Sequence, residues 1–201
     1  MINKVTLTIL IILLPALIIT SSIDSIIFNK NVYAQYETQV DNKEKIIINL
    51  LDYFKNDKEF IKQEGFTQKE RDHFLDVKEI IRSIRSISLL SMMLTSLFLI
   101  NLYFKTKKKE LKNKLSIYLI SGSSITILIV LFIYVSSQNF EYFFTLFHSV
   151  LFKTGTWTFP ANSLSIKLFP LELFKEFAKI ILTKITFISI ILLFIGIIYK
   201  K

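Results

Sequence analysis

Residues 105–136 read KTKKKELKNKLSIYLISGSSITILIVLFIYVS. The first part sets Lys105, Lys107, Lys108, Lys109, Lys112 and Lys114 against a single acid, Glu110, and from Leu115 to Ser136 no side chain is charged. As a helix rising ~1.5 Å per residue the uncharged part would be about 33 Å long, close to the hydrocarbon thickness of a bilayer. Working outward, three more runs of this kind occur at 5–23, 87–104 and 180–199. Four such runs, in a chain that is 52% hydrophobic with only four glycines, predict an all-α membrane protein. The expected architecture is four transmembrane helices with an extracytoplasmic cap of short and amphipathic helices.

The net charge of +9 is compatible with nucleic-acid binding only if the cations form a stripe or patch for it. Here they crowd the ends of the apolar runs: Lys4 before the first, the 105–114 cluster between the second and third, Lys200 and Lys201 after the fourth. Lysine excess in short links marks the cytoplasmic side, so a multi-pass plasma-membrane protein with both termini cytoplasmic is expected, and no nucleic-acid partner. A lysine-rich genome alone would not gather the acidic residues into the two long loops. The chain then divides into transmembrane helix 1 (1–23), an extracytoplasmic segment (24–86), helix 2 (87–104), a cytoplasmic loop (105–114), helix 3 (115–136), a second extracytoplasmic segment (137–179), and helix 4 with a cytoplasmic tail (180–201). Val32-Tyr33-Ala34 resembles a signal-peptidase site but lies well beyond the first apolar core, which favours a retained anchor.

Several chemistries are excluded. With no cysteine there are no disulfides, thiol nucleophiles or cysteine–zinc sites. No glycine-rich phosphate loop or nucleophile elbow is present. Serines and threonines in the second and third runs suit close helix packing, Lys184 can snorkel, and the absence of any carboxylate within a run argues against an ion-coupled transporter.

The two long segments carry the only histidines, His73 and His148. In the first, residues 41–54 place Ile46, Ile47, Leu50, Leu51 and Phe54 at helical spacing, an amphipathic helix that can lie on lipid or pack against the other segment. Lys55-Asn56-Asp57-Lys58 and Glu64-Gly65 read as turns. Thr67-Gln68-Lys69-Glu70 has the form of a capping box, so a helix should begin there and run on into the second apolar stretch. His73, Asp76, Val77 and Ile80 share one of its faces, and Asp76 can reach His73 to fix its tautomer; an exposed pair with Lys69, Lys78 or Arg82 is the plainer use of that aspartate. In the second segment the aromatic run 140–148 suits the headgroup level, Glu141, Thr145 and His148 fall on one stripe, and Trp157, Phe159 and Pro160 follow. Pro170 suits the first turn of the helix entering the fourth run.

Phe66-Thr67-x-x-Glu70-x-x-His73-x-x-Asp76-Val77-Lys78 resembles a pattern in the lipoprotein intramolecular transacylases, and so does Phe147-His148 followed by Phe152, Trp157, Phe159 and Leu168-Phe169-Pro170. The likeness extends to the four-span layout and to Pro15 in the first run. Two positions depart: Phe74 stands where the family often has methionine, and Ala161-Asn162-Ser163 where an acid often follows the Trp-x-Phe stretch. The resemblance implies an acyltransferase that moves an acyl chain from the sn-2 glyceryl ester of a diacylglyceryl-cysteine lipoprotein to its own α-amino group, giving the lyso form. It implies His73 and His148 as catalytic residues; Asp76 and Glu141, placed near them by helical spacing, and Trp157 are expected to support them. Ester to amide is downhill and the reactants are tethered, so no cofactor or metal is expected. The amine must be neutral to attack, which suits a base of near-neutral pKa; one histidine would take its proton and the other protonate the leaving alkoxide. Lys153, Asn162 or amides near Trp157 are candidates to polarise the carbonyl. The partners would be the diacylglyceryl-modified lipoprotein N-terminus and membrane lipids.

Two other readings remain open on sequence. A non-catalytic four-span protein would use the exported cap to bind a partner protein or lipid, its histidines being ordinary surface groups. A zinc hydrolase would use His73, His148, Asp76 and Glu141 as ligands, without the tight histidine spacing that usually accompanies such sites. A host with ether-linked lipids would lack the ester donor.

Overall fold

In a computed structural model, residues 2–36, 40–56, 65–153 and 155–200 are described; the turn expected at Asp57, Lys58 and Glu64 lies outside them, as does Lys201. Among the described residues the chain is helical throughout, with no strand: α1 (Ile2–Ile27), α2 (Lys30–Ala34), α3 (Lys43–Lys55), α4 (Gln68–Lys105), α5 (Lys108–Ser136), α6 (Phe140–Leu151), α7 (Leu164–Leu168) and α8 (Leu171–Lys200). Helices α1, α4, α5 and α8 are long and apolar enough to cross a membrane. At ~1.5 Å per residue α4, with 38 residues, is about 57 Å long, nearly twice the hydrocarbon thickness. Only its second half, from Ile87, is uncharged, and the turn carrying His73 belongs to the charged first half.

The chain forms two compact units, Met1–Asp24 with Ile84–Val135 and Ile181–Lys201, and Ser25–Ser83 with Ser136–Ile180. The first unit has its core at Leu10, Leu14, Ile18, Leu102, Tyr118, Val130 and Ile185, while large apolar side chains such as Met93, Leu97, Phe132 and Phe194 are exposed. A surface of that kind is stable only against lipid. Two glycines permit close helix approach. A Cβ at Gly122 would stand 2.7 Å from Leu14 Cδ2 and 2.9 Å from Leu14 Cβ, and one at Gly196 would stand 2.9 Å from Ile120 Cγ1. The Ser116 hydroxyl donates to the Gly196 carbonyl at 2.7 Å. The Thr20, Thr126 and Thr186 hydroxyls turn back onto their own helices at Ala16, Gly122 and Leu182. These groups are satisfied locally, as expected of packing residues. Helix α5 begins inside the lysine-rich stretch: lysine is a good helix former, and Glu110 meets Lys114 one turn on at 2.6 Å.

The second unit is built on α3. Its apolar face (Ile46, Leu50, Tyr53) closes on Phe66, Phe74 and Leu168, so the amphipathic helix packs against the other long segment. Edge contacts join Phe74 to Phe66 at 5.1 Å and to Phe169 at 6.2 Å, a geometry that ring quadrupoles favour. Lys78 lays its ammonium 4.1 Å over the Tyr53 ring. Gly65 turns the chain into α4 with φ +107°, where a side chain would be strained and would press on Leu164. Asn29, Asn139 and Ser163 cap α2, α6 and α7 by accepting from backbone N–H groups, each removing an orphan donor.

Candidate active site

His73 stands in the second turn of α4 and His148 in the last turn of α6. Far apart in sequence, their rings lie 6.4 Å centroid to centroid, tilted by 31°, and both are buried, at 9% and 8% exposure. The wall around them is aromatic. Phe152 is 4.7 Å from His73 and 5.4 Å from His148; Phe159 is 5.5 Å from His73; Phe144 and Trp157 are 3.9 and 5.0 Å from His148.

The two rings differ in hydrogen bonding. His148 Nδ1 lies 2.8 Å from the Phe144 carbonyl one turn back. A carbonyl only accepts, so in the neutral ring Nδ1 carries the proton and Nε2 presents its lone pair. His73 Nδ1 is buried with no partner, and so is the indole Nε1 of Trp157. Buried polar atoms are ordinarily satisfied. Here two that are not stand beside the histidine pair. Burial first, and then the neighbouring His148, push His73 down to about 4. Burial also lowers His148, opposed by the Phe144 carbonyl. Both rings are therefore neutral at neutral pH.

A carboxylate fixes the wall to the helix that carries His73. Glu70 is 1% exposed. Its Oε2 accepts from the Thr67 N–H at 2.7 Å and the Thr67 hydroxyl at 2.8 Å, and its Oε1 accepts from the Ser165 N–H at 2.8 Å. Thr67 Oγ1 returns the favour to the Glu70 N–H at 3.3 Å, completing the capping box. Burial raises the Glu70 pKa, but the hydrogen bonds from Ser165 and Thr67 outweigh it and hold the group below the usual carboxylate range. Beside it, Lys69 donates to the Thr158 carbonyl at 2.7 Å and stands 5.6 Å over the Phe159 ring. The chain from Trp157 to Ser165 is thus tied to the first turn of α4 at Thr158 and again at Ser165.

Of the residues expected to support the histidines, the structure brings in one. Trp157 lies against His148. Asp76 is half-buried and makes no hydrogen bond to His73, whose Nδ1 is unpartnered; the ring is turned to Phe152 and Phe159 instead. Glu141 is exposed in the first turn of α6, two turns from His148, and the Thr145 hydroxyl between them donates back to the Glu141 carbonyl at 2.9 Å. Lys153 and Asn162 are exposed. Among the described residues no three histidines or carboxylates are grouped to hold a metal, so His73, His148, Asp76 and Glu141 do not form the ligand set a zinc hydrolase would need. The sequence reading missed the long-range roles of Glu70 and Lys69, and the local one of the Phe144 carbonyl. The capping box pointed to Glu70, but only to its local bond.

The family model of the lipoprotein intramolecular transacylase Lit matches residues 2–174. The chain belongs to the Lit family. Lit proteins are acyltransferases acting on lipoproteins, and this one is a multi-pass membrane enzyme. Its fold is that of the membrane-integral Lit from Bacillus cereus, with a TM-score of 0.80 and 22% identity over 98% of this chain and 95% of that one. Two variants of the Bacillus cereus protein are also similar. In one a histidine is replaced by arginine (TM-score 0.72, 20% identity, 98% and 92% covered), and in the other by alanine (0.73, 21%, 98% and 93%). No curated protein matches the sequence.

Proposed function

We propose that this Lit protein moves the sn-2 acyl chain of a diacylglyceryl-cysteine to the α-amino group of the same cysteine, with His73 and His148 handling the protons. The observation that carries this is the buried, neutral histidine pair, 6.4 Å apart and not bonded to each other. At that ring spacing one nitrogen or oxygen of the substrate can stand between the two imidazoles and be reached by both.

The neutral amine attacks the ester carbonyl carbon and a C–N bond forms. The carbonyl oxygen becomes an oxyanion, for which the unpartnered Trp157 N–H is the available donor. The nitrogen, now cationic, is acidic enough to protonate even a weak base, and His148 Nε2 takes its proton. The C–O bond to the glyceryl sn-2 oxygen then breaks, and that oxygen receives the proton held by His148, relayed through His73, so that both rings end neutral. The products are an amide and a free hydroxyl, with no net change in protons. His148 ends α6, where the last carbonyls favour a passing positive charge. Both long segments, 24–86 and 137–179, face outside on this reading, with the termini and the 105–114 link in the cytoplasm, as the lysine distribution requires.

Mass spectrometry of lipoprotein N-termini from cells making the wild type, His73→Ala or His148→Ala tests this. The wild type should give the lyso form, and each variant should lose it by at least a hundredfold while still inserting in the membrane. Full conversion by either variant would overturn the proposal.

A further inference from the structure

The paired ends of α5 and α8 in the first unit form an open cleft of about 570 Å³ lined by Lys107, Lys109, Glu110, Lys112, Asn113, Tyr199 and Lys200. Its one carboxylate is engaged, since Glu110 Oε1 lies 2.6 Å from Lys114 Nζ, so the cleft is strongly cationic. A lysine excess that only sets topology can sit anywhere in a link or tail. Here the cations converge and the floor beneath them is pinned. Ser116, one turn beyond Lys112, donates to the carbonyl of Gly196, one turn before Lys200, at 2.7 Å. Gly196 lets the helices close to a distance that any Cβ would prevent. The two lysine-bearing turns are therefore held side by side. Exposed apolar side chains stand near the same chain positions, Ile198 at 67% two residues before Lys200 on α8 and Phe104 at 80% three residues before Lys107 at the end of α4. A cationic pocket on a unit whose surface is otherwise apolar matches a molecule with an anionic head and hydrocarbon tails.

We propose that this cleft binds the phosphate headgroup of an anionic glycerophospholipid, independently of the acyl-transfer site. Lysines near an anionic lipid surface contribute about fivefold each to binding, and the floor converts that diffuse attraction into one site.

The test is native mass spectrometry of the purified full chain in detergent, titrated separately with phosphatidylglycerol, phosphatidylcholine and inorganic phosphate. The wild type should retain phosphatidylglycerol at least tenfold better than phosphatidylcholine. Lys109→Gln/Lys112→Gln keeps Lys105, Lys107, Lys108 and Lys114 to set orientation, and should lower that preference by about tenfold or more. Glu110→Gln, which removes the acid and releases Lys114, should raise it. Lys43→Gln/Lys45→Gln on α3 should leave it unchanged. The proposal is overturned by an unaltered preference in the 109/112 variant, by an equal fall in the 43/45 variant, or by inorganic phosphate displacing the lipid at comparable concentration.

Discussion

Glu70→Ala should weaken the second unit far more than the loss of one helix cap. The carboxylate is buried and takes hydrogen bonds from the Thr67 N–H, the Thr67 hydroxyl and the Ser165 N–H. Removing it leaves two backbone donors without acceptors, each costing about 1–3 kcal/mol, one of them the Thr67 N–H of the capping box. The sum is about 4 kcal/mol, which lowers the melting temperature by about 8–16 °C for a chain of this size. Glu70→Gln should cost about half as much, because one amide oxygen can still accept while its NH₂ must face a donor. The readout is built in: Trp157 is the sole tryptophan and lies on the stretch that Glu70 and Lys69 tie down. Thermal melts followed by its fluorescence in detergent should show a lower transition and red-shifted emission already in the folded Glu70→Ala protein, together with a fall in kcat. A melting point within 2–3 °C of wild type, equivalent to about 1 kcal/mol, would refute the reasoning.

Trp157→Phe keeps an aromatic ring against His148 but deletes the N–H together with part of the indole; kcat should fall about tenfold to a hundredfold with little change in KM, measured on a synthetic diacylglyceryl lipopeptide. Acid should destabilise the protein through His73. Its folded pKa is about 4 against 6.5 unfolded, so the folded state binds fewer protons, its stability is complete above pH 6.5, and it is lost as pH falls toward 4, by about 3 kcal/mol. Melts at pH 7.5 and 4.5 compared between wild type and His73→Gln check this, since the variant should lose most of the slope. Gly122→Ala forces a methyl onto Leu14 and should cost about 1–3 kcal/mol, seen as a lower melting temperature with kcat at 25 °C unaltered.

The long elements were legible because a bilayer imposes length and hydropathy on a single continuous helix; 87–104 and 115–136 needed nothing else. The capping box at Thr67 was legible for the same reason, being local. The pairing of His73 with His148 became readable only through resemblance, since nothing in composition brings two distant rings together. Asp76 shows the limit of helical spacing. Three residues along α4 put it within reach of His73, yet ring contacts with Phe152 and Phe159 decide which way the imidazole turns. Glu70 shows the reverse case: its local bond was evident, while its second oxygen meets Ser165 through tertiary packing that no spacing rule describes.

The Glu70–Ser165 tether also orders events while the chain is being made. Synthesis runs from the N-terminus, so α4 with His73 exists well before Ser165 leaves the ribosome. Until then Glu70 has only its local partner, and the imidazole has neither His148 nor an aromatic wall. On the proposed mechanism a half-made chain in the translocon therefore holds no competent chemistry, and proton transfer becomes available only when the second long segment, 137–179, has arrived.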